Sequence, residues 1–105
     1  MKFEGFLHFN IRCSEADLPA IEKFYGEVIG LKKGFRPDFM FKGISLYDGE
    51  DPILHVGARF PQGSFVKDKH NGSMDHIAFK TSGAAEFRKR LKRLGVEFEE
   101  QNIEN

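Results

Sequence analysis

The chain has 105 residues, 16 Lys+Arg against 16 Asp+Glu, and a formal net charge of zero. That is one domain's worth of chain, and its 40% apolar content with 11 Gly is a globular rather than a disordered composition. Balanced charge gives no support for nucleic acid or an anionic membrane as partner, and no apolar run approaches a membrane span. The single cysteine, Cys13, excludes an internal disulfide and suits a reducing compartment, and residues 1–5 lack the apolar core of a signal peptide. A soluble cytoplasmic protein is the expectation.

In chain order, residues 6–13 alternate as a half-buried strand does. Leu7, Phe9, Ile11 and Cys13 share the apolar face; Phe6, His8, Asn10 and Arg12 share the other. Leu18, Ile21, Tyr25 and Val28 then follow the three-four-three spacing of one helical face. Pro19 is harmless only in a first turn, which makes Asp17 a better N-cap than Ser14, and Gly30 is the expected stop. Residues 31–35 read as a short strand broken by Pro37, and 39–47 as a second strand around Gly43. The turn signal Asp48-Gly49-Glu50-Asp51-Pro52 leads into a third, 53–60. In that strand Leu54, Val56, Ala58 and Phe60 oppose Ile53, His55, Gly57 and Arg59, and Gly57 leaves room beside His55.

Residues 61–73, rich in Gly, Lys and Asp, read as a linker, with His70 in an exposed turn. The pattern then recurs. Residues 73–81 form a strand signal with His76 on one face and Ile77 and Phe79 on the other. A helix signal follows through Ala84, Phe87, Leu91 and Leu94, closed by Gly95, and 96–100 reads as one more strand. The basic residues from Arg88 to Arg93 fall mostly off the apolar stripe and read as a solvated face. A lone histidine on a strand is ordinarily a hydrogen-bonded core or surface residue. Three of them on the less apolar faces of three strands are a set that a divalent Zn, Fe, Mn, Ni or Co ion accepts. Cys13, on the apolar face, reads as inert core.

The segments Leu7-His8-Phe9-Asn10-Ile11, Phe24-Tyr25-Gly26-Glu27-Val28-Ile29-Gly30-Leu31, Ile53-Leu54-His55-Val56 and Asp75-His76-Ile77-Ala78-Phe79, in this order, resemble the glyoxalase / bleomycin-resistance / extradiol-dioxygenase (vicinal oxygen chelate) superfamily. The resemblance implies an α+β fold of paired βαβββ modules with curled mixed sheets. It divides one glyoxalase-like domain into module one (1–60), the linker (61–73) and a second module (74–105) that is incomplete at its C-terminus. It also implies a metal held by His8, His55 and His76. The usual fourth ligand, a Glu on the last strand of the second module, has no counterpart here. The function implied is a divalent-metal-dependent glyoxalase- or dioxygenase-type enzyme acting on a small molecule with adjacent oxygens; the alternative is a metal-free small-molecule binding module of the drug-resistance kind. Without the fourth ligand, turnover is expected to be weak or absent unless Glu97 or Glu99 supplies the carboxylate. Homodimers are common in the family. The open edge of a shortened module predicts one here, or else disorder beyond about Glu100.

Overall fold

The computed structural model describes residues 1–59 and 74–102. The chain divides into two compact units, Met1–Asp68 and Lys69–Asn105. The predicted linker, with His70, lies outside the described residues, as do Phe60 and residues 103–105.

The first unit begins with strand β1 (Phe9–Arg12) and a 3-10 turn (Glu15–Asp17). Helix α1 (Leu18–Lys23) follows and widens into a π-helix (Phe24–Ile29). Strands β2 (Lys32–Gly34), β3 (Gly43–Asp48) and β4 (Asp51–Gly57) complete it. Together they form one four-stranded mixed sheet in the order β1-β4-β3-β2. β4 runs parallel to β1 and antiparallel to β3, and β3 runs antiparallel to β2. This is the βαβββ module expected of residues 1–60. Its parallel pair is what requires the helical crossover between β1 and the hairpins.

The helix packs where the alternation places it. Cys13, Ile44, Leu46, Leu54, Val56 and Ala58 form the buried core, and Phe9, Ile11, Leu18, Ile21, Tyr25 and Leu31 pack against it. Each fully buried Val, Leu or Ile side chain among them contributes about 1.5–3 kcal/mol. Leu7, expected on the same face, is exposed because it lies two residues before β1. Burial pushes the Cys13 thiol above its ordinary pKa, and Asp17 adds to the effect, so Cys13 is the inert core thiol that the pattern predicts.

The helix ends show one agreement and one correction. Gly30 adopts a left-handed conformation (φ 96°), and the amides of Gly30 and Leu31 both donate to the Tyr25 carbonyl, at 3.0 and 2.9 Å. At the start, Asp17 precedes α1 but does not cap it. Its backbone is already helical, and its carboxylate accepts from the Ser14 hydroxyl at 3.1 Å. Ser14, extended at ψ 162°, is where the chain turns. The 3-10 turn supplies the winding ahead of Pro19, so the proline falls in the first α-helical turn without an early cap.

The second unit holds helix α2 (Ala84–Arg93), with Leu91 buried and Phe87 and Leu94 half-buried on the predicted face. Gly95 ends it at φ 69°, and Arg88 donates to Glu100 at 2.9 Å. The two strands expected to flank this helix, 73–81 and 96–100, are not formed among the described residues. Alternation reports which side chains share a face. It says nothing about the neighbour that must take the backbone hydrogen bonds, and without a ladder there is no strand. Met74, Ile77 and Phe79 are accordingly 55%, 43% and 40% exposed. No helix among the described residues is long and apolar enough to cross a membrane.

Candidate functional site

The face of the sheet opposite the helix carries the polar positions. In register, His55 on β4 lies between Asn10 on β1 and Ser45 on β3. Residues two apart on a strand share a face, so His8 is the diagonal neighbour of His55. Their imidazole rings stack, with centroids 4.0 Å apart and planes 17° from parallel. Partial burial lowers the His55 pKa most, and the nearby charges of His8 and Arg36 lower it further. A hydrogen bond donated to the Pro52 carbonyl opposes them. His55 is therefore held toward the neutral state, with one ring nitrogen committed to the backbone.

Beside this pair lies a cavity of about 330 Å³ within the first unit. Asn10, Ser45, Tyr47 and His55 form its floor, and Phe35, Arg36, Phe39 and Phe41 rise from the loop between β2 and β3. The loop is braced. Tyr47 donates to the Phe35 carbonyl at 2.5 Å, and Arg36 donates to the Phe41 carbonyl at 3.1 Å. Phe39 and Phe41 stack at 5.6 Å and 9°. The Arg36 guanidinium lies over both rings, at 4.7 and 5.2 Å, and Arg59 covers Phe41 at 4.9 Å.

Of the three predicted ligands, His8 and His55 are in contact. His76 belongs to the second unit, where it is exposed on irregular chain and paired with the Asp75 carboxylate at 2.6 Å. Within either unit, no group of three His, Cys, Asp or Glu side chains is gathered as a metal site among the described residues. The pair itself suits a divalent cation in its chemistry. Two imidazoles share one patch, and the Pro52 carbonyl holds the second nitrogen of His55 as a backbone acceptor holds a metal-bound imidazole.

The room beside Gly57 is filled by Phe41, whose ring would stand 2.9 Å from an added Cβ. Arg36 was not legible as a site residue, because Pro37 interrupts the pattern beside it; Phe41 falls in the 39–47 stretch expected as a strand, but β3 begins only at Gly43 and residues 39–42 lie in the loop, held by tertiary contacts rather than a ladder. Ser45 and Tyr47 were not singled out either, although alternation puts both on the face of His55 once β3 is paired with β4.

No protein-family model matches the sequence, and no curated protein matches it. Solved structures do. A glyoxalase family protein from Bacillus anthracis is 23% identical, with a TM-score of 0.68 over 92% of this chain and 75% of that one. An integron cassette protein from the mobile metagenome of V. cholerae is 25% identical, with a TM-score of 0.60 over 98% and 77%. The fosfomycin resistance protein FosX from Listeria monocytogenes is 15% identical, with a TM-score of 0.58 over 99% and 75%. The module built from β1, α1 and the three following strands is thus a shared architecture, and the chain has the fold of these glyoxalase-type structures.

Proposed function

We propose that this chain is a divalent-metal-dependent enzyme of the glyoxalase or dioxygenase type, acting on a small molecule with adjacent oxygens, with His8 and His55 as the metal ligands of the first unit. The observation that carries the reading is the contact between His8 and His55 on the polar sheet face, beside a cavity. A bound Zn, Fe, Mn, Ni or Co ion would supply Lewis-acid polarisation of the substrate's oxygens, or oxygen activation if it is iron. The chain's own residues do the rest. The Pro52 carbonyl orients His55, Asn10 and Ser45 flank it in register, and Phe35, Phe39 and Phe41 give the cavity an apolar wall.

Metal analysis of untagged protein tests this. The expected result is about one divalent ion per chain, with affinity reduced by more than about a hundredfold in His55→Ala and His8→Ala, beyond the roughly 10–100-fold cost of losing an outer contact. Protein that stays metal-free after exposure to each of the five ions, with both variants indistinguishable from wild type, would reject it. That outcome would favour the second reading, a metal-free binding module. The observation behind it is the cavity wall of three phenylalanines, which holds an apolar ligand without a metal.

A homodimer, in a reducing cytoplasm where the free thiol of Cys13 persists, belongs to the same proposal. Phe3, Phe6 and Leu7 are 84%, 74% and 79% exposed, and large apolar side chains so near one another are commonly covered by another surface. Light scattering at micromolar concentration is expected to give twice the chain mass. A mass of one chain across the accessible concentration range would contradict the dimer and leave the metal reading standing.

A further inference from the structure

We propose that Arg36 makes the cavity of the first unit a subsite for a small ligand that carries an oxyanion. A carboxylate or phosphoryl-type group would sit on the guanidinium, and an apolar body would lie against Phe35, Phe39 and Phe41. The inference rests on the reading above that this cavity is where a small molecule binds, and it adds the chemical class of that molecule.

Charge is the first argument. Among the described residues lining the cavity, Arg36 is the one permanently charged side chain, and none is Asp or Glu. Among the described residues no carboxylate is paired with it, in contrast to Lys33, Lys42 and Arg88, each of which has a carboxylate partner. A guanidinium does not lose its proton in a protein, so the site carries a positive charge at any working pH. A charge partly removed from water is costly unless something compensates it. The faces of Phe39 and Phe41 supply part of that compensation, about 0.5–2 kcal/mol for a contact of this kind.

Geometry is the second argument. The guanidinium has five N–H donors in a rigid fork, and the Phe41 carbonyl takes a bond from one nitrogen. The group is also held in place. It lies against the sheet over Gly43, where an added Cβ would meet its Nη2 atom at 2.7 Å, and two aromatic rings fix its plane. A donor array ordered before the ligand arrives loses little freedom on binding. Ser45 and Tyr47 place hydroxyl groups on the same cavity wall. At about 330 Å³ the cavity lies at the small end of ligand sites, which excludes extended ligands. A neutral ligand of the same shape would desolvate the guanidinium and return only the weaker hydrogen bond of an uncharged acceptor, which penalises it relative to the anion.

Arg36 also braces its own loop. A brace needs a donor, whereas an anion subsite needs a charge, and Arg36→Gln removes the charge while keeping an N–H donor on the side chain. The test is calorimetric titration of the full chain with benzoate, phenylphosphonate and neutral benzamide, with zinc content measured on the same samples. The expected result is that one or both anions bind at least tenfold tighter than benzamide. Benzoate against phenylphosphonate distinguishes a planar from a tetrahedral oxyanion. Arg36→Gln is expected to erase the preference while thermal stability and zinc content hold. Equal binding of all three probes, no binding of any, or an anion preference that survives Arg36→Gln would each overturn the proposal. Should Arg36→Gln fail to fold, amide and guanidinium NMR shifts of the wild type decide. Changes centred on Arg36 support the subsite, and changes confined elsewhere reject it. Zinc that loads normally in a protein without anion preference sinks the Arg36 inference alone; anion preference in a protein that takes no metal sinks only the metal reading.

Discussion

Leu54→Ala is expected to be the most damaging simple truncation in the chain, costing about 3 kcal/mol within the 2–5 kcal/mol range for buried leucines. Leu54 is fully buried at the centre of β4, the strand that joins the parallel and antiparallel halves of the sheet. It faces Phe9 across one ladder and Leu46 across the other, so no single neighbour can close the space left behind. Folded domains are stable by only about 5–15 kcal/mol, so a large share of the total is lost. At about 4–8 °C per kcal/mol for a chain of this size, the thermal midpoint falls by on the order of 15 °C. Circular dichroism melts of Leu54→Ala beside Met40→Ala make the comparison. Met40 is fully exposed in the loop and should change stability by no more than about 0.5 kcal/mol. A loss below 1 kcal/mol at Leu54 would mean that β4 is not the centre of the core.

Most of the first unit could be read from its sequence because its elements are amphipathic with clean periods. The alternation through Phe9, Ile11 and Cys13, and through Leu54, Val56 and Ala58, marks one buried face. The spacing of Leu18, Ile21 and Tyr25 marks the helix that covers it. The same alternation puts His8 and His55 on the opposite face, although not their ring contact, which depends on the parallel register of β1 with β4. The second unit was legible only in α2, because a helix satisfies its own backbone and its pattern stands alone. The residues around His76 carry a strand pattern as clean as that of β1, yet a strand exists only with a partner. The loop from Phe35 to Lys42 was misread in part: the alternation carries a strand back to Phe39, whereas β3 begins at Gly43. It is organised by tertiary contacts: the Arg36 donor, the stacked Phe39 and Phe41, and the space above two paired glycines.

Those two glycines yield the second large effect. Gly43 and Gly57 face each other across β3 and β4, yet alanine should be far worse at one than at the other. A Cβ on Gly43 would stand 2.3 Å from the Val56 carbonyl oxygen and 2.7 Å from Arg36 Nη2. The first obstacle is the backbone of the central strand. Relief requires β3 and β4 to separate, and overpacking of this kind costs about 1–3 kcal/mol or more. A Cβ on Gly57 would meet the Phe41 ring at 2.9 Å and Arg59 Cγ at 3.4 Å. Both belong to side chains that can swing outward, so the expected cost is under about 1 kcal/mol. The displacement of Phe41 is not neutral for the cavity, because that ring supports the Arg36 guanidinium and stacks on Phe39. Gly43→Ala is therefore expected to lower the urea midpoint strongly. Gly57→Ala should hold the midpoint while moving the aromatic resonances of Phe39 and Phe41 and weakening small-molecule binding several-fold. Equal urea midpoints for the two variants would show that the sheet yields at Gly43 as easily as the loop does at Gly57, and the distinction between a backbone wall and a side-chain wall would fall.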